Sequence, residues 1–171
     1  MDKDSSMNQE LLNQSKILLM KRFEENQKLK LDVKIPKYQL SILNKDPLSI
    51  QDLVGKKVLM NFWFTNCQPC IDELPILNEF KAEINDKNVE FIAVTFEKRE
   101  PVTRFLERYT SNFTHVIEAK LFIEEIGVKY YPITMVIDES GTIKLIEKKI
   151  DMSSQKTIEA WKERVKAALA Q

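Results

Sequence analysis

The 171 residues, 43% hydrophobic and 30% charged, suit one ordinary globular domain with an extension. Lys+Arg 26 balance Asp+Glu 26, so no net charge draws the chain to nucleic acid or an anionic membrane. The glycines, Gly55, Gly127 and Gly141, stand apart, which excludes the glycine-rich phosphate loops of Rossmann and Walker type and leaves glycine as punctuation.

Met1 to Met7 is polar and expected to be disordered. From Asn8 to about Lys28, Leu11, Leu12, Leu18, Leu19 and Phe23 recur near one helical face. That helix is expected to pack on the flank of the domain, with partner binding or dimerisation as the alternative. Residues 1–34 are therefore assigned to an N-terminal helical extension and 35–171 to the domain. Between Val33 and Leu43, Pro36, Tyr38, Leu40 and Ile42 alternate as in an edge strand. Pro47 to Val54 reads as a connection with one short turn, closed by Gly55.

Lys57 to Phe64 is almost unbroken apolar sequence, interrupted by Asn61. That pattern predicts a central strand covered on both faces. Thr65-Asn66 ends it. Cys67 then stands where a helix N-cap would be, and Cys70 follows three residues later on the same helical face. Pro69 falls in the first turn, where its missing N–H breaks no helical bond. Ile71, Leu74, Leu77, Phe80 and Ile84 continue the helix, and Pro75 is expected to kink it.

Val89 to Thr95 is a second apolar strand. Glu100-Pro101 opens a helix with Val102, Phe105, Leu106 and Tyr109 at helical spacing. Ala119 to Ile126 is a short helix ended by Gly127. Ile133 to Asp138 and Thr142 to Glu147 form a hairpin around Glu139-Ser140-Gly141. Ser153 or Ser154 caps a last helix with Ile158, Trp161, Val165 and Leu169 inward. A right-handed β–α–β crossover makes the Lys57 and Val89 strands parallel. Their C-terminal ends then share one edge, the usual place for a site in an α/β sheet. An antiparallel Ile133 strand would bring Pro132 to that same edge.

Cys67 and Cys70 are the only cysteines. A structural disulfide framework uses several spread-out pairs, so these two serve chemistry or a metal. Zinc needs about four ligands, which a single histidine, His115, cannot complete. No metal is expected, and His115 is read as structural. A helix N-terminus favours a thiolate at Cys67 by ~0.3–1 kcal/mol when exposed. Lowering a thiol pKa from about 8.5 to about 7 needs roughly 2 kcal/mol, so direct N–H contacts or the second thiol must help. The net gain in attack is about threefold, because a weaker base is also a poorer nucleophile. The larger gain is that Cys67 becomes a good leaving group when Cys70 resolves a mixed disulfide.

Phe62-Trp63-Phe64-Thr65-Asn66-Cys67-Gln68-Pro69-Cys70, followed by Glu73-Leu74-Pro75, resembles the active-site segment of thioredoxin-fold proteins, closest to the TlpA/ResA-like thiol-disulfide oxidoreductases. The likeness runs from about Ile35 to the C-terminus. It implies a thioredoxin fold, a mixed central sheet with helices on both faces. It implies a redox-active disulfide between Cys67, which attacks, and Cys70, which resolves. It makes Pro132 a cis-proline facing the disulfide, with the Tyr131 backbone free to pair with an extended substrate. Trp63 fills one usual tryptophan position. Asn66 stands where the family usually has tryptophan, which alters the partner-facing surface. Tyr131, Pro132, Asn66 and Trp63 are thus the expected substrate-binding residues.

Glu97, in the loop after the second strand, is the expected acid/base group, since the family carries a glutamate in the matching loop. Its plain alternative is a solvated charge beside Lys98 and Arg99. Asn61 occupies the place of the buried aspartate of thioredoxins, and an amide cannot shuttle protons. No organic cofactor is needed. Protein thiols or disulfides and an upstream redox partner are the expected partners of a monomer, with reductase favoured over oxidase. A thiol peroxidase is an alternative, but Pro-x-x-x-Thr-x-x-Cys is absent before Cys67. A non-catalytic binding module is the other alternative, and the intact cysteines argue against it. No segment long enough to span a membrane and no signal peptide is read. The expected location is the periplasm or cell envelope if the chain is trimmed from a longer protein, and the cytoplasm otherwise.

Overall fold

The computed structural model describes Gln14, residues 29–84 and residues 86–171. The helix expected over Asn8–Lys28 lies outside these residues, Gln14 excepted. The strands are β1 (Gln39–Ile42), β2 (Leu48–Ser49), β3 (Lys57–Phe62), β4 (Val89–Val94), β5 (Thr114–Ile117), β6 (Ile133–Ile137) and β7 (Ile143–Glu147). The helices are α1 (Gln68–Glu83), α2 (Arg99–Leu106), α3 (Lys120–Ile126) and α4 (Gln155–Leu169). The strands form one mixed sheet in the order β2-β1-β5-β4-β3-β6-β7. β3 is central, parallel to β4 and antiparallel to β6, with Phe62 opposite both Val94 and Ile133.

Alternation along β3 explains the two cores. Successive side chains of a strand point to opposite faces. Val58, Met60 and Phe62 join Phe122, Ile123 and Ile126 of α3 on one face. Leu59 and Trp63 join Leu77 and Phe80 of α1, Val102 and Phe105 of α2, and Trp161 and Val165 of α4 on the other. Each such side chain contributes about 1.5–3 kcal/mol relative to exposure. Helices thus cover both faces, the arrangement the thioredoxin resemblance implies. Across the second face, buried Lys162 of α4 reaches Glu79 at 2.7 Å and Glu83 at 2.5 Å, both on α1.

Several expectations are corrected. β1 is not an edge strand, because β2 and β5 flank it. The segment before it pairs elsewhere: Asp32 N donates to the Ile143 carbonyl and Ile35 N to that of Gly141, both at 2.9 Å. β5 was not expected. It lies parallel to β4, and its four residues are too few for alternation to stand out. β3 stops at Phe62, not Phe64, because β4 ends at Val94 and β6 begins at Ile133, leaving Phe64 nothing to pair with. As expected, Pro75 lies inside α1, which continues past it to Glu83. Ser154, not Ser153, caps α4, accepting from Thr157 N at 3.2 Å. At the β6–β7 turn, Asp138 accepts from the backbone of Ser140 and Thr142 at 2.9 Å each. Gly141 there holds φ +78°, a conformation that costs glycine nothing.

Candidate active site

The parallel pair β3–β4 and the start of β6 deliver three loops to one sheet edge. The first leads from β3 into α1. Cys67 is the N-cap of α1, and its Sγ accepts from Cys70 N at 3.3 Å. The two sulfurs form a disulfide at 2.00 Å. The second loop, after β4, carries Phe96 and Glu97. The third carries Tyr131 and Pro132, joined by a cis peptide bond. Aromatic rings tie the three together. Phe64 meets Tyr131 at 5.4 Å and Phe96 at 5.9 Å, and Phe96 meets Tyr131 at 5.9 Å. Phe96 is 41% exposed, so this rim is an apolar surface open to a partner. The Tyr131 hydroxyl is held above its usual pKa, first by burial and then by Glu124.

Glu97, the expected acid/base group, is bonded to the turn before Cys67. One carboxylate oxygen accepts from Thr65 N at 2.7 Å and the other from Thr65 Oγ1 at 2.8 Å. Both oxygens are thereby committed to the turn that precedes Cys67. The buried carboxyl of the site is Glu73, which was overlooked. It stands one turn after Cys70 on α1, is 1% exposed, and accepts from Ile150 N at 2.5 Å. Desolvation raises its pKa from 4.5 to about 7. The Ile150 bond and Lys149 pull the other way, and Asp72 adds to the rise. The available signal was spacing: a glutamate at i+3 from Cys70 lies on the same helical face as the dithiol.

Burial does not separate the two cysteines. Each is 4% exposed in the disulfide state. Trp63, expected at the substrate surface, is also buried. It packs against Phe105 at 4.8 Å and edge-on to His115 at 5.6 Å, so it supports the site from beneath. His115 is neutral, its pKa lowered from 6.5 to about 4 chiefly by desolvation. The Ser111 backbone favours its charged form only from outside hydrogen-bond geometry, since both ring nitrogens lack a hydrogen-bond partner. Asn61 donates to Thr134 Oγ1 at 3.1 Å. Asn66 is exposed at the rim. Among the described residues, no group of three or more His, Cys, Asp or Glu is placed to hold a metal, and no helix is long and apolar enough to cross a membrane.

A Cys-x-x-Cys disulfide whose first cysteine caps a helix at the edge of a mixed sheet is the site of a thiol-disulfide oxidoreductase. The chain belongs to the Redoxin family, whose model matches residues 30–160, and within it to the TlpA/ResA-like thiol-disulfide oxidoreductases. It is 38% identical over 113 residues to the thioredoxin-like protein YneN of Bacillus subtilis, a match covering 64% of this chain and 66% of that one. It is 29% identical over 145 residues to the thiol-disulfide oxidoreductase ResA of Bacillus cereus, covering 84% and 83%. A thiol:disulfide interchange protein, DsbE, from Chlorobium tepidum superposes with a TM-score of 0.72 at 25% identity, over 82% of this chain and 99% of that one. The protein's chemistry is thiol-disulfide exchange.

Proposed function

We propose that the protein reduces disulfides of partner proteins, with Cys67 as the attacking sulfur and Cys70 as the resolving one. The observation that carries this reading is the Cys67–Cys70 disulfide at the start of α1. When reduced, Cys67 sits where the Cys70 N–H and the helix dipole favour its thiolate. It attacks the partner disulfide, forms a mixed disulfide and releases one partner thiolate. Cys70 must then lose its proton to attack Cys67. Glu73, on the same face and with a pKa of about 7, is the group we assign as proton acceptor, matched to a working pH near neutrality. Glu97 is a positioning residue that fixes Thr65 and so the approach to Cys67. Tyr131 and Pro132 present their backbone to the partner chain, Asn66 borders it, and Trp63 braces the site from below.

The direction is tested by equilibrating the protein with thiol buffers and measuring its potential. A value near that of thioredoxin, about −270 mV, supports a reductase. One near about −120 mV marks an oxidant and overturns the direction. We further propose a monomer with an extension over residues 1–34 ahead of the thioredoxin-like domain 35–171. An envelope or periplasmic workplace fits this chemistry, because protein disulfides persist in oxidising compartments. An upstream redox partner would re-reduce the dithiol there.

A further inference from the structure

A groove of about 520 Å³ opens beside the disulfide. Thr65, Asn66 and Gln68 of the active-site turn border it, and so do Arg104, Arg108 and Tyr109 from α2 and its end. Two of these residues, Asn66 and Gln68, are the immediate neighbours of Cys67. Both are exposed, so the groove runs along the solvent side of the turn that carries Cys67. Tyr109 stacks on Phe105 at 4.6 Å, and Phe105 packs on Trp63, so this part of the groove is backed by the core.

The charge of the groove is one-sided. Its lining holds two arginines and no carboxylate. Arg104 meets Glu100 at 3.5 Å, but the two side chains are 65% and 78% exposed, so water competes with that pair. Among the described residues Arg108 makes no ion pair. Asp72 of α1 is bonded to the Gln68 amide at 2.7 Å. In a chain with no net charge, two arginines at the mouth of the reactive turn are a local feature, suited to bidentate contact with carboxylates.

We propose that this groove selects polypeptide substrates whose reactive cysteine is flanked by an acidic side chain. The inference deepens the function proposed above and rests on Cys67 being the sulfur that meets the partner. The exchange balances in the usual way. The Cys67 thiolate forms a bond to one substrate sulfur while the substrate S–S bond breaks. The second substrate sulfur leaves as a thiolate and takes a proton. Cys70, after losing its proton, displaces the first substrate sulfur. The protein dithiol is oxidised by two electrons and the substrate disulfide is reduced by two. Guanidinium groups at the groove attract the acidic flank into register before the first step, so selection acts on the encounter and on the mixed disulfide.

The test uses the full chain, reduced, and short cysteine peptides carried as mixed disulfides with 2-mercaptoethanol. The residues flanking the peptide cysteine are Glu, Gln or Lys. Rates are read by acid quenching and mass analysis. The Glu peptide is expected to react about tenfold faster than the Gln peptide at low salt, which is about 1.4 kcal/mol, and the Lys peptide more slowly than either. That order is against intrinsic chemistry, because an acidic neighbour raises a thiol pKa and makes it a poorer leaving group. The Glu/Gln ratio should fall toward unity in the Arg104→Gln/Arg108→Gln variant. It should fall likewise in about 1 M salt, where the screening length is about 3 Å. Equal rates for Glu and Gln peptides in the wild type, or a ratio untouched by the double substitution, would overturn the proposal. So would a double variant slowed toward glutathione disulfide but not toward acidic peptides, which would assign the groove to a small-molecule carboxylate. Full exchange by Cys67→Ser would instead remove the reading on which the proposal rests.

Discussion

Replacing Glu73 by Gln isolates the buried carboxyl beside the dithiol. The wild-type group has a pKa of about 7 in the folded chain against 4.5 when unfolded. Between those values the folded state binds the extra proton. Its contribution to stability is therefore fully present below about pH 4.5 and is lost as pH rises through 7. The gap corresponds to about 3 kcal/mol at 1.36 kcal/mol per pH unit, a large share of the roughly 5–15 kcal/mol of a typical domain. Gln stays neutral throughout, and its carbonyl oxygen can still accept from Ile150 N. Burying the extra N–H₂ costs about 1–3 kcal/mol, but that cost does not vary with pH.

The wild-type curve alone would mislead. His115, with a pKa of about 4 against 6.5, runs the opposite way. The unfolded state then binds the extra proton, so its stabilising contribution is present above pH 6.5 and lost as pH falls through 4. The two slopes oppose one another over most of the acid range. The informative quantity is the difference between variant and wild type, in which His115 cancels. Urea unfolding of both oxidised proteins from pH 4 to 9 should show Glu73→Gln gaining about 3 kcal/mol on the wild type across that range. In the same variant the rate of mixed-disulfide resolution should lose its inflection near neutrality. Parallel stability curves would show that Glu73 does not titrate in this window. An unchanged rate profile would remove it as proton acceptor.

The other expectations can be checked with the same assays. Cys67→Ser should abolish exchange, whereas Cys70→Ser should accumulate mixed disulfides captured from cell extract under non-reducing conditions; equal adducts from both would contradict the assigned roles. Glu97→Gln should slow exchange by a similar factor at every pH and lower stability by about 1–2 kcal/mol through the lost Thr65 bonds; a moved pH midpoint would make it a proton-transfer group after all. His115→Phe keeps a ring against Trp63 and removes two unpartnered nitrogens, so the variant should resist acid better than the wild type between pH 4 and 6.5, and an unchanged acid transition would refute this. Deleting the first 28 residues should lower the melting temperature and leave exchange intact, whereas lost activity with unchanged melting would mark a partner-binding segment.

Much of the fold was legible because its central elements are long and patterned. β3 and β4 announced themselves as doubly covered strands, and the Cys67–Pro69–Cys70 spacing fixed the start of α1. β2 and β5 did not, since two and four residues carry no usable period. The site was read unevenly for a related reason. Glu97 stands out through its place after β4 and the glutamate that the resembled family carries in the matching loop, whereas its two bonds to Thr65 are visible only in the structure. Glu73 lies inside a helix and counts in the sequence only as part of the Glu73-Leu74-Pro75 run that carries the resemblance, with no role of its own. Its spacing from Cys70 puts it on the face of the dithiol, but its burial is visible only once Ile150 N is seen to donate to it. Trp63 is expected at the substrate surface from the tryptophan position it fills in the resembled segment, whereas strand alternation sends it to the core with Leu59.

The equal burial of the sulfurs bears on how one of them comes to react first. If exposure does not distinguish them, the distinction must come from what each sulfur touches. Cys67 Sγ already accepts the Cys70 N–H, and it stands at the positive end of α1 as its N-cap. A negative charge gains from that contact, and a neutral thiol gains little. Cys70 lies within the helix, with its own amide committed to Cys67, and has Glu73 on its face. An anionic Glu73 one turn along the helix opposes a second thiolate at Cys70. Under the mechanism proposed above, the order of events follows from a backbone donor for Cys67 and a buried acid on the helical face of Cys70. Opening the site to a partner is the separate task of the aromatic rim and the turn that Glu97 holds.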